Sequence, residues 1–348
     1  MKIIRSSSVL KEKKATKMFS ESGSIFMLHR IAPYEKDKIV YNEDMKISPE
    51  ELRTVIQQLR NKKRVFLSLD ELYEINIKGK ESKYKFSAFT LDDGYKDNLE
   101  YGYPIFKEQQ VPFCIYITNS FPNRTTNLWW YALEELVLNN DTLLLSGNTR
   151  VDNTGMDRKS RHFLELRERI LSEKFNDPIS YLREAGRLEF DLPREMYEKC
   201  LSWDEITSLS LDPLVTIGAH SVNHYPLSKL DNLAADSEIK NSKRELEQRT
   251  GKEVNHFAFP FGGRGEAGTR EYDLVRSMGF KTAVTTLHGH VYAHDDLCEL
   301  KRLFLRPIRN NPLAVDELMQ KKLKDYVKNA VSFLKKIIPK EIAVSRAI

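Results

Sequence analysis

Two adjacent carboxylates, Asp92 and Asp93, stand directly behind the apolar run Phe89-Thr90-Leu91 and ahead of Gly94. Like charges side by side repel, so the pair needs a reason: a turn, a metal ligand or an acid–base group. A second pattern, Gly218-Ala219-His220-Ser221-Val222-Asn223-His224, sets two histidines four residues apart behind another apolar run. On a helical turn that spacing brings both imidazoles to one face, where each can offer a nitrogen to one cation. With one carboxylate of the Asp pair added, the set becomes a two-histidine, one-carboxylate site with open positions. Each motif alone is ordinary, the first as a turn and the second as surface or capping histidines. Their chemistry depends on whether the fold brings them together.

The elements that must position them alternate in type. Short β-type runs occur at 24–28, 85–91, 111–117, 215–219, 256–259 and 282–286. Between them lie helical patterns, one starting at Ser48-Pro49-Glu50-Glu51 with Leu52, Val55, Ile56 and Leu59 at helical spacing. Others cover Trp203–Leu211, Leu233–Arg249 and Tyr272–Met278. Repeated strand–helix units predict a parallel sheet with crossover helices, open or closed into a barrel. In such folds chemistry gathers at the carboxyl ends of the strands. His29, Asp92-Asp93, His220 to His224 and Pro260-Phe261-Gly262-Gly263 all fall there. Residues 120–200 break the alternation with long, charge-rich helical text and no clear strand runs.

Composition sets the outer bounds. The 348 residues are 41% apolar and 30% charged, as expected of a globular protein. The 55 basic and 50 acidic side chains leave a net charge of +5, a solvated surface rather than a nucleic-acid footprint. Cys114, Cys200 and Cys298 are odd in number and widely spaced, which predicts free thiols and a reducing compartment. With no signal-like N-terminus and no run of about 20 apolar residues, the expected location is the cytoplasm.

Taken in order, "TLDDG", "GAHSVNHYPLS" and "FAFPFGG" resemble the polysaccharide deacetylase (NodB-homology) domain of carbohydrate esterase family 4. "FMLHRI", "LSWDEI" and "SKRELEQRTGKEVNHFAFPFG" extend the resemblance over roughly residues 23–309, more loosely across 120–200. It implies an α/β fold, a distorted (β/α) barrel of the NodB type with a helical insertion. The domain organisation expected is an N-terminal extension over 1–22, a catalytic barrel over 23–312 with its insertion at 120–200, and a C-terminal segment over 313–348.

The resemblance also implies a reaction, hydrolysis of the N-acyl group of an amino sugar. Asp92 would be the general base, and Asp93, His220 and His224 the metal ligands. Zn comes first as the metal, with Co, Ni or Fe equally suited to these donors. The Phe261 N–H would steady the oxyanion, and Pro260 and Gly262 would let substrate approach the backbone. The family's third motif often opens with an arginine that pairs with the base; Ala258 holds that position here. Arg302 and Arg306 are the nearest replacements along the chain. The acid that protonates the leaving amine is His288 or His290, with His29 a further contender and His294 the last histidine of that stretch. Trp129 and Trp130 are candidates to stack on a sugar ring, and His29 and Arg306 to contact substrate.

The segment 313–340 carries Met319, Leu323, Val327, Ala330, Leu334 and Ile337 as one helical stripe among lysines. That pattern suits an anionic membrane surface, hence peripheral attachment to the inner membrane face. A protein so placed is expected to act on a lipid-linked or nucleotide-linked amino sugar in surface polysaccharide or glycolipid biosynthesis. The alternative is a catalytically silent carbohydrate-binding or scaffold protein on the same barrel.

Overall fold

The computed structural model describes residues 23–77, 85–145, 149–293, 295–307 and 315. The N-terminal extension, His294 and nearly all of the C-terminal segment, including the basic stripe, lie outside the described residues.

Seven parallel strands close into a barrel: β1 (Gly23–Leu28), β2 (Phe86–Leu91), β3 (Phe113–Ile117), β4 (Val215–Ala219), β5 (His256–Ala258), β6 (Thr282–His288) and β7 (Leu300–Phe304). Each strand pairs with the next in sequence, and β7 pairs back with β1. A two-residue strand, Val65–Phe66, pairs with the start of β2 outside the ring. Around the barrel stand α1 (Pro49–Asn61), α2 (Leu69–Ile77) and α3 (Tyr103–Glu108). The helices α4 (Trp129–Asn139), α5 (Met156–Arg169), α6 (Pro178–Ala185) and α7 (Leu192–Lys199) form the insertion. The ring of helices resumes with α8 (Trp203–Ser210), α9 (Asn232–Thr250) and α10 (Thr269–Ser277).

Local signals in the sequence account for several boundaries. Ser48 accepts from the Glu51 N–H while the Glu51 carboxylate accepts from the Ser48 N–H, so α1 starts on a reciprocal cap. Such a cap stabilises a helix by about 1 kcal/mol. Ser202 and Glu205 repeat the device at α8. Gly251 ends α9 at φ +68°, a left-handed position that glycine adopts without a Cβ clash.

The period of two along each strand separates two cores. Phe26, Leu28, Phe89, Leu91, Phe113, Ile115 and Ile117 face the surrounding helices. Ile25, Ala88, Cys114, Tyr116, Ala258, Val284 and Leu300 cluster on the opposite faces, within the barrel. Continuing that alternation past the strand ends puts His29, Asp92 and His220 on the inner side. It also puts Arg302 and Phe304 there, along β7.

Two expectations are corrected. The strand 282–286 is not the last; β7 follows it and closes the barrel. The insertion is not strandless, since Thr142–Leu145 and Thr149–Asp152 form an antiparallel hairpin. It also has its own apolar core, with Trp129, Leu133, Leu136, Phe163, Leu166 and Leu182 among its members. All three cysteines are free and buried.

Candidate active site

The strand ends set one rim. Leu28 pairs with Leu91, Leu91 with Ile115, and Ile117 with Ala219, so His29, Asp92 and His220 follow strand ends held in register. The Asp92 N–H donates to the Leu28 carbonyl and the His220 N–H to the Ile117 carbonyl, each at 2.9 Å. The backbone ladder therefore runs one bond past the strands and fixes both residues.

Beyond that rim the backbone turns through left-handed conformations at Asp93 (φ 79°), Gly94 (92°), Ser221 (62°), His224 (59°), Phe261 (59°) and Gly262 (50°). A non-glycine residue held there costs on the order of 1 kcal/mol or more, and such strain clusters where side-chain direction is functional. The histidine pair meets this way. Residues 220–224 are not a helical turn, as the spacing suggested, but a loop with two left-handed residues. The two rings still stand close, with centroids 5.0 Å apart.

Asp93 Oδ1 lies 3.4 Å from His220 Nε2 and 3.2 Å from His224 Nε2. That oxygen is buried and has no hydrogen-bond partner. His220 Nδ1 is 2.7 Å from the Ala258 carbonyl, which requires an N–H at Nδ1 and leaves Nε2 as a bare lone pair. A carboxylate oxygen and two imidazole nitrogens thus converge within 4.8 Å of one another, all presented as ligands. A hydrogen-bond account leaves Asp93 Oδ1 orphaned, whereas a divalent cation would satisfy all three donors. The residues fit a metal site.

Asp92 is engaged differently. Arg302 Nη1 donates to its Oδ1 and Nη2 to its Oδ2, both at 2.7 Å, a bidentate pair sealed from solvent. The guanidinium is itself held by the Thr285 carbonyl at 2.8 Å and Thr90 Oγ1 at 3.1 Å. Burial pushes the Asp92 carboxyl up, but the Arg302 charge and its hydrogen bonds outweigh burial and hold it below the usual carboxylate value. This is the cation that Ala258 does not provide. It comes from β7, which only β1 separates from β2, and it turns inward to reach the base. Of the two replacements expected from the sequence, Arg302 and Arg306, it is Arg302 that pairs with Asp92, and it does so from within a strand rather than from beyond the last one.

The cluster opens into a cavity of about 400 Å³. His29, Asp92, Asp93, His220, His224 and Phe261 line it, as do Trp129 and Trp130. The Phe261 ring packs edge-on against His224 at 4.7 Å, and Trp130 lies 5.8 Å from the same imidazole. The Phe261 N–H has no backbone acceptor among the described residues.

Other expected residues fall elsewhere. Neither His288 nor His290 lines this cavity; His290 Nδ1 is 2.9 Å from Ser24 Oγ, near the amino end of β1 and away from the rim. The histidine that faces Asp92 is His29, with Nε2 4.0 Å from Asp92 Oδ2 and its ring edge-on to Phe304. Burial lowers the His29 pKa below its ordinary value. Pro260 and Gly262 also stand outside the lining. A Cβ on Gly262 would sit 2.8 Å from both the Phe259 carbonyl oxygen and the Thr286 nitrogen. Close packing of the chain on itself, rather than approach by substrate, requires glycine there. Arg306 is exposed, with its guanidinium over the Phe304 ring.

Comparison with known proteins bears on this arrangement. The sequence profile described as polysaccharide deacetylase matches residues 79–283, more than half of the chain. No curated protein matches by sequence. Among solved structures, the Streptococcus pyogenes deacetylase PplD in complex with acetate aligns at TM-score 0.55 and 16% identity, over 86% of this chain and 98% of that one. The de-N-acetylase from Aggregatibacter actinomycetemcomitans aligns at TM-score 0.54 and 12% identity, over 85% and 99%. IcaB from Ammonifex degensii aligns at TM-score 0.53 and 14% identity, over 82% and 92%. At these identities the likeness is one of fold.

Proposed function

The chain belongs to the polysaccharide deacetylase family, and we propose that it is a metal-dependent hydrolase that removes an N-acyl group, acetyl or formyl, from an amino sugar. The observation that carries this reading is the convergence of Asp93, His220 and His224 beside a buried, arginine-paired Asp92 at the base of one cavity. Asp93, His220 and His224 would hold the cation, with Zn, Co, Ni or Fe compatible with the donor set. When bound, it supplies Lewis acidity toward water and the acyl carbonyl.

The chain's own groups account for the proton traffic. Asp92, kept ionised by Arg302, takes a proton from the water that attacks the acyl carbon, so an O–H bond breaks as the C–O bond forms. The Phe261 N–H, without a backbone acceptor among the described residues, would donate to the oxyanion that develops on the acyl oxygen. Collapse of that adduct breaks the C–N bond, and the leaving nitrogen needs a proton. His29, 4.0 Å from Asp92, is among the described residues the cavity histidine outside the ligand pair and delivers the proton that Asp92 has collected. The silent-scaffold alternative drew on two features, the missing arginine at Ala258 and the unassigned acid, and Arg302 answers the first of them.

The expected setting is a cytoplasmic protein acting on a lipid-linked or nucleotide-linked amino sugar during surface-glycan synthesis, attached to the inner membrane face through 313–340. The basic stripe in that segment supports this. Among the described residues no helix is long and apolar enough to cross a membrane. The enzymatic reading is tested by chelating the purified protein, restoring Zn, Co, Ni or Fe singly, and measuring acetate and formate released from N-acyl amino sugars. Metal-dependent release is the expected result. Absence of release with every metal and both acyl groups defeats the proposal.

A further inference from the structure

The cavity extends from the Asp–His cluster to a wall that the reaction does not use. Tyr41, in the short helix Val40–Glu43, Met45 just after it, and Phe163 and Leu164, on α5, form it together with Trp129. The Tyr41 and Phe163 rings stack with centroids 6.2 Å apart and planes within 15°. Three polar side chains that share the cavity are already committed to the protein. Arg30 Nε donates to Asp97 Oδ2 at 2.7 Å, Asn42 Nδ2 to the Trp130 carbonyl at 3.2 Å, and Thr286 Oγ1 to the Phe261 carbonyl at 2.6 Å. Arg167 and Glu168, where α5 leaves the cavity, pair with each other at 3.0 Å.

An oligosaccharide threaded through this space would bury hydroxyls against rings and thioether. Each hydroxyl left without a partner weakens binding by roughly tenfold. An aliphatic chain has no such penalty there, and each methylene buried tightens binding about fourfold. We infer that the wall formed by Tyr41, Met45, Phe163 and Leu164 seats an aliphatic chain carried by the substrate. The protein then acts on an amphiphilic amino sugar, not on an inner unit of a free polysaccharide. This rests on the N-deacylase reading. The chain has two sources: a lipid on the anomeric oxygen, with acetyl or formyl removed, or a longer N-acyl group that extends the proposed reaction beyond those two.

The test uses the full-length protein and defined probes below their micelle concentrations. Methyl and octyl glycosides of N-acetylglucosamine form one arm, and methyl glycosides bearing N-acetyl or N-octanoyl groups form the other. Trp129 and Trp130 line the cavity, so tryptophan fluorescence reads binding whether or not turnover occurs; amine release is followed in parallel. If three or four methylenes bury, the chain-bearing probe of one arm binds about a hundredfold more tightly than its short partner. That arm identifies the source. In Leu164→Asp, and separately in Met45→Glu, the ratio of the two affinities falls at least about tenfold. Equal affinity for long and short probes in both arms overturns the inference. So does a ratio unchanged in both variants, or an unmodified N-acetylated oligosaccharide that binds more tightly than every chain-bearing probe. Tight, wall-dependent binding with no acyl release from any probe leaves the inference standing and defeats the deacylase reading instead.

Discussion

Replacing Arg302 with methionine keeps most of the side-chain volume and removes the one charge that faces Asp92 in the sealed pair. Asp92 and Arg302 are each about 1% exposed, so the variant leaves a carboxyl with neither solvent nor counter-ion. Breaking a buried pair from one side costs about 3–5 kcal/mol. The loss of its counter-ion raises the Asp92 pKa, because burial then acts without opposition. The sign follows from linkage. In the native protein the Asp92 pKa is depressed, so the pair's contribution is present above the unfolded value of about 3.9 and lost as pH falls through the lower folded value. In Arg302→Met burial dominates and the folded pKa lies above about 3.9. The carboxyl then costs stability at neutral pH, and the cost is relieved as pH falls through the raised value. Urea unfolding from pH 4 to 8, in chelator so that the chain's own groups set the charge, should show the gap from wild type widening with pH to about 3 kcal/mol. Asp92→Asn combined with Arg302→Met should recover most of it, because no buried charge remains. A gap below about 0.5 kcal/mol at pH 7, or one independent of pH, refutes the claim that Arg302 is the partner of the base.

Further outcomes are expected. His220→Ala and Asp93→Asn should each lose bound divalent cation by elemental analysis while keeping the fold, since each removes one of three converging ligands. His29→Gln should lower kcat by about a hundredfold or more with little change in KM, whereas His290→Gln, beside Ser24, should leave kcat within about twofold. His256 is wholly buried in β5, and burial is the main influence that holds its pKa below the ordinary value. The unfolded chain therefore takes up that proton first, and stability should fall on acidification through about pH 6.5. Melting curves should show a shallower slope in that window for His256→Gln.

Much of the fold was legible because strand and helix signals were strong and separate. Six of the seven barrel strands stood out as apolar runs, and Ser48 and Gly251 marked helix ends through capping chemistry. β7 escaped because Leu300-Lys301-Arg302-Leu303-Phe304 carries two cations in five residues. One of them, Arg302, turns inward to pair with Asp92, a partner more than 200 positions earlier, and no local pattern encodes that. The insertion hairpin was obscured by its surroundings, with exposed polar residues on three of four positions of Thr149–Asp152 flanking a half-buried Val151. At the site, the Asp and His motifs revealed which residues take part but not how they meet. The approach of His220 to His224 depends on left-handed turns at Ser221 and His224, and neither residue type announces one. The same limit applied to the cavity histidine. His29, His288 and His290 all follow or end strand-like text, and only the closed barrel separates the one beside Asp92 from the two that are not.

The most direct test of the account joins two readings on one sample. Asp92→Asn, purified alongside wild type, is assayed for bound divalent metal and for acyl release from an N-acyl amino sugar. The account predicts metal content equal to wild type and release reduced by at least about a hundredfold, because Asp93, His220 and His224 hold the cation while Asp92 moves the proton. Release at the wild-type rate, or loss of metal from this variant, would contradict it.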